Sequence, residues 1–338
     1  FATPFGTIYS SNITSDPKTG LGNWSFEAFN RAMRQGISRD GSNLYPAFPY
    51  TSFAGMSGDD MFAVYAYLQS LPAVEQPTQT AKMTFPANLR PTNIAWNWMF
   101  HDVKTPLTAQ PTQSAQWNRG QYLVETVGHC SACHTPRNAL GAEKSGADRF
   151  TGAMVNGWYA PPLAGAEATT RGWNTETFNA YLQTGHAAGI ASAGGPMAHV
   201  VSNLQDLPQT DIAAMSLYLS SLTEPSTASV APPPAQPQTT PNNTPSQRIF
   251  ESACASCHEP AFDGMLTSAQ VPLSQSMALR APSVEAATAV ISQGLQAPNN
   301  LTLRDMPAFS AELSTLQIEE LAHYLREKYA PDLPSWGR

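Results

Sequence analysis

Two pentapeptides, Cys130-Ser131-Ala132-Cys133-His134 and Cys254-Ala255-Ser256-Cys257-His258, use every cysteine in the chain. Each fits the C-x-x-C-H pattern of covalent haem attachment. Two thiols one helical turn apart can add to the two vinyl groups of one haem, and the adjacent histidine can ligate the iron. Zinc needs four ligands, and these pairs lie in separate regions with a proline-rich stretch between them. A redox dithiol wants a βαβ context that neither region shows. Structural disulfides leave two histidines, each directly after a second cysteine, as unrelated accidents. The spacing therefore implies two covalent haem c groups, with His134 and His258 as iron ligands.

The second axial position of such an iron decides whether it carries electrons or reacts with ligands, and a methionine thioether raises the potential and closes the site. The chain has 11 methionines, so spacing must select among them. Met197 follows Gly194-Gly195-Pro196 in an expected loop before a terminal helix, and Met306 stands in a similar loop. Both are candidate sixth ligands, against the alternative that they fill gaps in a core. Met265 and Met277 are weaker alternatives in the last region. In the first region Phe48 occupies the matching place and cannot bind iron, which leaves Met56 as its candidate; Met61 is expected to face the core.

Arg137 and Trp158 are candidates for hydrogen bonds to haem propionates, where charge-assisted contacts are strongest. Pro161 and Pro162 are expected to line the proximal-histidine side. His129 is assigned to the surface. His101, His186, His199 and His323 are expected to be solvated or hydrogen-bonded rather than ligating.

These groups need helices to hold them. Before the motifs come apolar-periodic stretches with Tyr122, Leu123 and Val127 in one and Ile249 and Phe250 in the other. After them a pattern repeats: Gly172-Trp173, a helix through Phe178 and Leu182, the Met197 loop, then a helix from Asp211 to Leu222. Residues Asn23-Trp24, Phe26, Phe29, Met33 and the Asp59 to Leu71 helix copy that order, and the last region ends alike through Leu316, Ile318, Leu321 and Leu325. The expected class is all-α, with tandem class I cytochrome c domains joined by proline-rich linkers. Residues 1–75 read as the back half of a domain, 76–115 as a connector partly packed through Trp96, Trp98, Met99 and Phe100, 116–223 as a domain, 224–246 as a linker too polar to fold, and 247–338 as a domain.

The 338 residues suit two or three domains. A formal charge of −7, with no dense Lys/Arg run, argues against nucleic acid as a partner. No stretch of about eighteen apolar residues suggests a membrane span. The chain opens at Phe1 without an initiator Met or a signal peptide, as a processed or trimmed chain does. Thioether attachment in bacteria takes place outside the cytoplasmic membrane, so the motifs imply export.

The runs Trp117-Asn118-Arg119-Gly120-Gln121-Tyr122-Leu123, Gly128-His129-Cys130 to His134, Thr135-Pro136-Arg137-Asn138 and Leu140-Gly141 resemble the three-haem cytochrome c subunits of bacterial membrane-bound dehydrogenases. So do Thr3-Pro4-Phe5-Gly6-Thr7-Ile8-Tyr9 and Asn12-Ile13-Thr14. The resemblance covers all but the linker. It implies a peripheral subunit on the periplasmic side of the cytoplasmic membrane that takes electrons from a large dehydrogenase subunit and passes them to ubiquinone. Members serve quinoprotein alcohol dehydrogenases, flavin-dependent sugar and gluconate dehydrogenases, and molybdenum enzymes oxidising aldehydes or N-heterocycles. Pro46-Ala47-Phe48-Pro49-Tyr50, with Phe where the alcohol-oxidising group has Met, is similar to the molybdenum-linked group. This points to a molybdopterin and iron–sulfur aldehyde dehydrogenase as partner. The family's first C-x-x-C-H is absent, so a third haem is expected only with an upstream segment.

Two other functions compete. A multi-haem peroxidase needs an open iron, which Met197 and Met306 argue against. A free electron shuttle needs only one haem. In the relay reading the chain does no bond chemistry of its own.

Overall fold

The computed structural model describes residues 2–101, 106–223, 244–259, 273–296 and 305–337. Most of the proposed 224–246 linker and the alternative ligand Met265 fall outside the described residues. The chain divides into two compact units: residues 1–132 with 138–142, and residues 133–137 with 143–338. The boundary falls inside the first C-x-x-C-H motif.

The internal repeat is written in the backbone. In the first unit the Phe26–Gln35 helix starts at Ser25, whose side chain accepts from the Ala28 N–H, and stops at Gly36 with φ 64°. Ile37 then bridges Asn43 in antiparallel fashion. In the second unit the Thr175–Thr184 helix has an Asn174/Thr177 capping box and ends at Gly185 with φ 78°, and His186 pairs with Ser192. The Glu285–Gln293 helix ends at Gly294 with φ 70°, and Leu295 bridges Met306. Each time a left-handed glycine reverses the chain, a short bridge pins the loop, and a longer helix follows.

Those following helices, Gly58–Ser70, Gln209–Ser221 and Thr315–Tyr329, lie where the apolar spacing predicts them. The first packs Met61 into a core with Leu21, Phe29, Met33 and Met56. The last packs Ile318, Leu321, Ala322 and Leu325 against Phe250, Leu279, Ala287 and Ile291. The strongly helical expectation needs one amendment. Short strands of two or three residues form antiparallel pairs, among them Ala153–Val155 with Trp158–Ala160. Gly157, at φ 81°, makes that turn, and no alternating apolar run announces a strand so short.

The connector differs from a simple strap. Residues Pro91–Phe100 form a helix with Pro at its first turn. Its Asn97 Oδ1 accepts from the buried Tyr50 hydroxyl at 2.5 Å, and Trp96 Nε1 donates to the Leu140 carbonyl at 2.9 Å. Trp98 on the same helix is 87% exposed.

Gly36 tests the repeat. A Cβ there would lie 2.6 to 2.8 Å from three ring atoms of Tyr50, and the left-handed backbone alone costs a non-glycine residue about 1–2 kcal/mol. Gly36→Ala is expected to destabilise the first unit by about 2 kcal/mol or more, read as a lower urea midpoint.

A second tie closes the last module. Arg326 is buried, donating from Nη1 to the Leu279 and Ala281 carbonyls at 2.6 and 3.1 Å and from Nη2 to the Pro334 carbonyl at 2.8 Å. Its guanidinium also sits 4.6 Å from the centre of the Trp336 ring. Arg326→Leu strands the Leu279 and Pro334 carbonyls, while Ala281 keeps its bond from Trp336 Nε1 at 2.8 Å, and unfolding of the last module is expected to become easier by about 3 kcal/mol.

Candidate haem-attachment and axial-ligand sites

Both attachment motifs are approached through π-helical turns, Leu123–Val127 and Phe250–Cys254. Such widened turns concentrate at functional sites. In the first, the Gly128 N–H reaches back to the Leu123 carbonyl at 2.7 Å. His129 then takes φ 39°, an unusual value for a residue with a side chain, and lies edge-on to Phe53 at 5.4 Å. The short helices Ser131–His134 and Ala255–His258 follow, so the two cysteines of each motif stand three residues, close to one helical turn, apart.

None of the four cysteines is joined in a disulfide. Burial, and then the neighbouring Cys257, push the Cys254 thiol up to about 11. An activated redox cysteine is shifted the opposite way. Among the described residues no three His, Cys, Asp or Glu side chains gather as a metal cluster, so the four-ligand arrangement of a zinc site is not formed there.

His134 is 9% exposed, and its Nδ1 lies 2.7 Å from the Pro161 carbonyl. A carbonyl can only accept, so Nδ1 carries the proton and Nε2 keeps its lone pair for a metal. Burial holds this imidazole below its ordinary pKa, only partly offset by the Pro161 hydrogen bond, and the neutral form is the ligating form. The backbone around it is equally fixed. Gly152 donates to the His134 carbonyl at 2.8 Å, and the buried Thr135 hydroxyl accepts from the Phe150 N–H at 3.0 Å. The expected placement of Pro161 beside the proximal histidine thus takes a definite form: its carbonyl orients the ring.

Three residues before Pro161 stands Trp158. Its indole covers Gly195, where a Cβ would come within 2.5 Å of ring atoms, and Gly195 has φ 52°. Met197 follows two residues later, in the first turn of the Pro196–Leu204 helix rather than in a loop. Pro196 at the first helical position, with its fixed φ and no N–H to satisfy, explains the early start. The stretch Trp158 to Pro161 thereby touches both His134 and the segment bearing Met197.

The second motif is described in part. His258 is half-buried, and burial pushes its pKa down; residues 260–272, which follow it, lie outside the described residues. Met306 is half-buried against the last core. Its backbone place differs from that of Met197, because Met306 itself exchanges bridge hydrogen bonds with Leu295 at 3.0 and 2.9 Å, whereas Met197 lies five residues after its bridging residue Ser192. Met277, the other alternative, opens the short Met277–Arg280 helix.

The remaining assignments divide. Met56 is 3% exposed and packed in the first unit's core beside Met33 and Met61. Arg137 pairs with Glu143 at 3.9 Å and is 41% exposed. His101 Nε2 donates to the Arg34 carbonyl at 2.7 Å, and His186 Nδ1 meets the Ser192 hydroxyl at 2.7 Å. His323 is neither solvated nor hydrogen-bonded at Nε2: it is buried edge-on to Trp336 with that atom unpartnered. Its place on the inner face of the Thr315–Tyr329 helix explains the burial.

Residues 118–223 match the cytochrome c family, and residues 241–325 match the family described as cytochrome c oxidase, cbb3-type, subunit III. The chain is 43% identical over 334 residues to a nicotinate dehydrogenase subunit of Pseudomonas putida, covering 99% of this chain and 28% of that protein. It is 35% identical to the fructose dehydrogenase cytochrome subunit of Gluconobacter japonicus, covering 76% of this chain and 57% of that protein. It is 31% identical to the alcohol dehydrogenase (quinone) cytochrome c subunit of Gluconacetobacter polyoxogenes, covering 98% of this chain and 74% of that protein. The chain thus spans between about a quarter and three quarters of the lengths of these relatives. A neutral imidazole with an available Nε2, beside two thiols one turn apart and outside any disulfide, is the donor set that haem c requires, and the two matched domains carry haem c at Cys130/Cys133 and Cys254/Cys257. This chain belongs to the cytochrome c subunits of membrane-bound dehydrogenases.

Proposed function

We propose that this chain is the electron relay of a periplasmic dehydrogenase, peripheral to the bacterial cytoplasmic membrane, and that it passes electrons from a molybdopterin and iron–sulfur partner to ubiquinone. The observation that carries the relay reading is the shared support of His134 and the Met197 segment by Trp158 to Pro161. An iron held between imidazole and thioether is closed to exogenous ligands and suited to one-electron exchange. Haem c supplies the reversible one-electron chemistry. The chain's own residues would supply the rest: Cys130, Cys133, Cys254 and Cys257 would anchor the haems, His134, His258, Met197 and Met306 would serve as iron ligands, and Arg137 and Trp158 would hold the propionates.

The partner class rests on two supports. The Pro46-Ala47-Phe48-Pro49-Tyr50 loop is similar to the molybdenum-linked group, and identity is higher with the nicotinate dehydrogenase subunit than with the alcohol dehydrogenase one. Nicotinate is an N-heterocycle, within the substrate class that the resemblance gives to molybdenum-linked members. The likeness to the fructose dehydrogenase cytochrome subunit favours a flavin-containing partner instead. Among the described residues no helix is long and apolar enough to cross a membrane, which fits peripheral attachment.

Purification of the complex from detergent-solubilised membranes, followed by metal and cofactor analysis of the co-eluting large chain, decides the partner. Molybdenum there supports the proposal; flavin or a quinone cofactor in its place overturns it. Ready carbon monoxide binding by both reduced haems overturns the closed-site relay.

A further inference from the structure

The second unit brings two modules together. The Trp158–Ala160 strand packs on the Met277–Arg280 and Glu285–Gln293 helices. At one point a side chain of one module meets the backbone of the other. A Cβ on Gly194 would lie 2.5 Å from Leu295 Cδ2, so a larger residue at 194 forces the Leu295 side chain to move. The next residue, Gly195, is covered by Trp158 in the same way. Two consecutive glycines are thus each occupied by a side chain, one from the facing module and one from their own.

The hydrogen bonds on either side of this contact lead to the two sulfur-bearing segments. The Met197 N–H donates to the Gly194 carbonyl at 3.2 Å. Across the contact, Leu295 exchanges two backbone hydrogen bonds with Met306, at 3.0 and 2.9 Å. From Met197 to Met306 the path therefore needs one backbone hydrogen bond, one van der Waals step between Gly194 and Leu295, and a second backbone hydrogen bond. Charge at this face is neutralised locally. Arg171 pairs with Glu167 at 3.3 Å, and Arg280 pairs with Asp332 at 2.5 Å. Each cation keeps its own carboxylate, so two arginines are tolerated on the packed face.

We propose that the Gly194–Leu295 contact is the crossing point for electron exchange between the second and third haem modules, with Gly194 and Leu295 as positioning residues. Each crossing moves one electron: one centre is oxidised by one equivalent, the other is reduced by one, and no bond or proton is exchanged. The dehydrogenase supplies the electrons. The inference rests on the relay reading and on Met197 and Met306 as axial ligands. Tunnelling falls exponentially with the gap, so a glycine at this contact has a kinetic purpose as well as a packing one.

The test uses the full haem-loaded chain. One haem is photoreduced in a flash and re-equilibration with the other is followed, together with the potentials and spectra of both. Because tunnelling decays exponentially with the gap, both Gly194→Val and Leu295→Ala are expected to slow exchange severalfold. Their spectra, potentials and indifference to carbon monoxide should match the parent's, which a merely structural role does not predict alongside slowed exchange. Gly194→Val displaces the Leu295 side chain from the contact. Leu295→Ala introduces no clash and decides the question if the valine variant fails to mature. Unchanged exchange in Leu295→Ala with both haems intact overturns the proposal. Carbon monoxide binding by both haems of the parent overturns the relay reading instead, so the two failures are distinguishable.

Discussion

Met197→Ala is expected to lower the midpoint potential of one haem by on the order of 0.1–0.2 V, within the roughly 0.8 V range that axial ligands command, and to open its iron to carbon monoxide. The other haem should keep its potential. The reasoning is local. Pro196 starts the helix that carries Met197, Gly195 holds a left-handed φ of 52°, and Trp158 clamps that glycine. The nearest rival on the strand pair is Met154, which pairs with Tyr159, while Trp158 pairs with Val155. Directly opposed residues share a face and successive residues alternate. Met154 therefore faces away from the side on which Trp158 meets Gly195. Met154→Ala should leave both potentials and the carbon monoxide response unchanged. A Met197→Ala protein with the parent's spectrum and potentials refutes the ligand assignment.

What the sequence made legible was whatever depends on residue type at short spacing. The two C-x-x-C-H motifs are of this kind, as are the apolar faces of the Gly58–Ser70, Gln209–Ser221 and Thr315–Tyr329 helices. The repeat was legible for the same reason, since Asn23-Trp24 and Gly172-Trp173 each lead a helix of similar apolar spacing, and Gly36 and Gly185 end those helices alike. What stayed hidden depends on backbone geometry or on groups that every residue carries. The π-helical turns before both motifs have no compositional mark, because Leu123 to Val127 reads equally well as an α-helix. The partner of His134 is a backbone carbonyl; Pro161 could be placed near the ring, but not the oxygen that orients it. Met197 and Met306 look equivalent as loop residues next to a proline. Only the register of the bridges separates them. Gly194-Gly195 read as part of the loop that carries Met197, yet both glycines are covered by side chains, one by Leu295 from the facing module. His323 was missed for a related reason: a polar side chain on a helix is placed outward unless the inward stripe is known residue by residue, and its neighbour Ala322 is fully buried.

Replacing Cys254 and Cys257 together by Ala is expected to have the largest effect of all. The intact protein should lose one covalently bound haem by mass, and in the relay proposed above electron delivery from the dehydrogenase to quinone should fall sharply. The structural consequence should be local. The attachment segment Ala255–His258 is the last turn of a helical run that starts at Pro245 and passes through the π-helical turn Phe250–Cys254, and a terminal turn frays first when its support is lost. Its protein anchors are the buried Ala255 and Phe250, together with Glu259, whose carboxylate meets Lys328 and Tyr329 at 2.5 Å. Loss of the haem removes the remaining support and should raise hydrogen exchange around residues 250–259. The Arg326 ties to Leu279, Ala281 and Pro334 lie on other elements and should hold the Thr315–Tyr329 helix in place. Exchange rising uniformly across the last module contradicts this division of labour. A parent protein whose four cysteines carry no added mass contradicts covalent attachment itself, and with it the assignment of His134 and His258 as iron ligands.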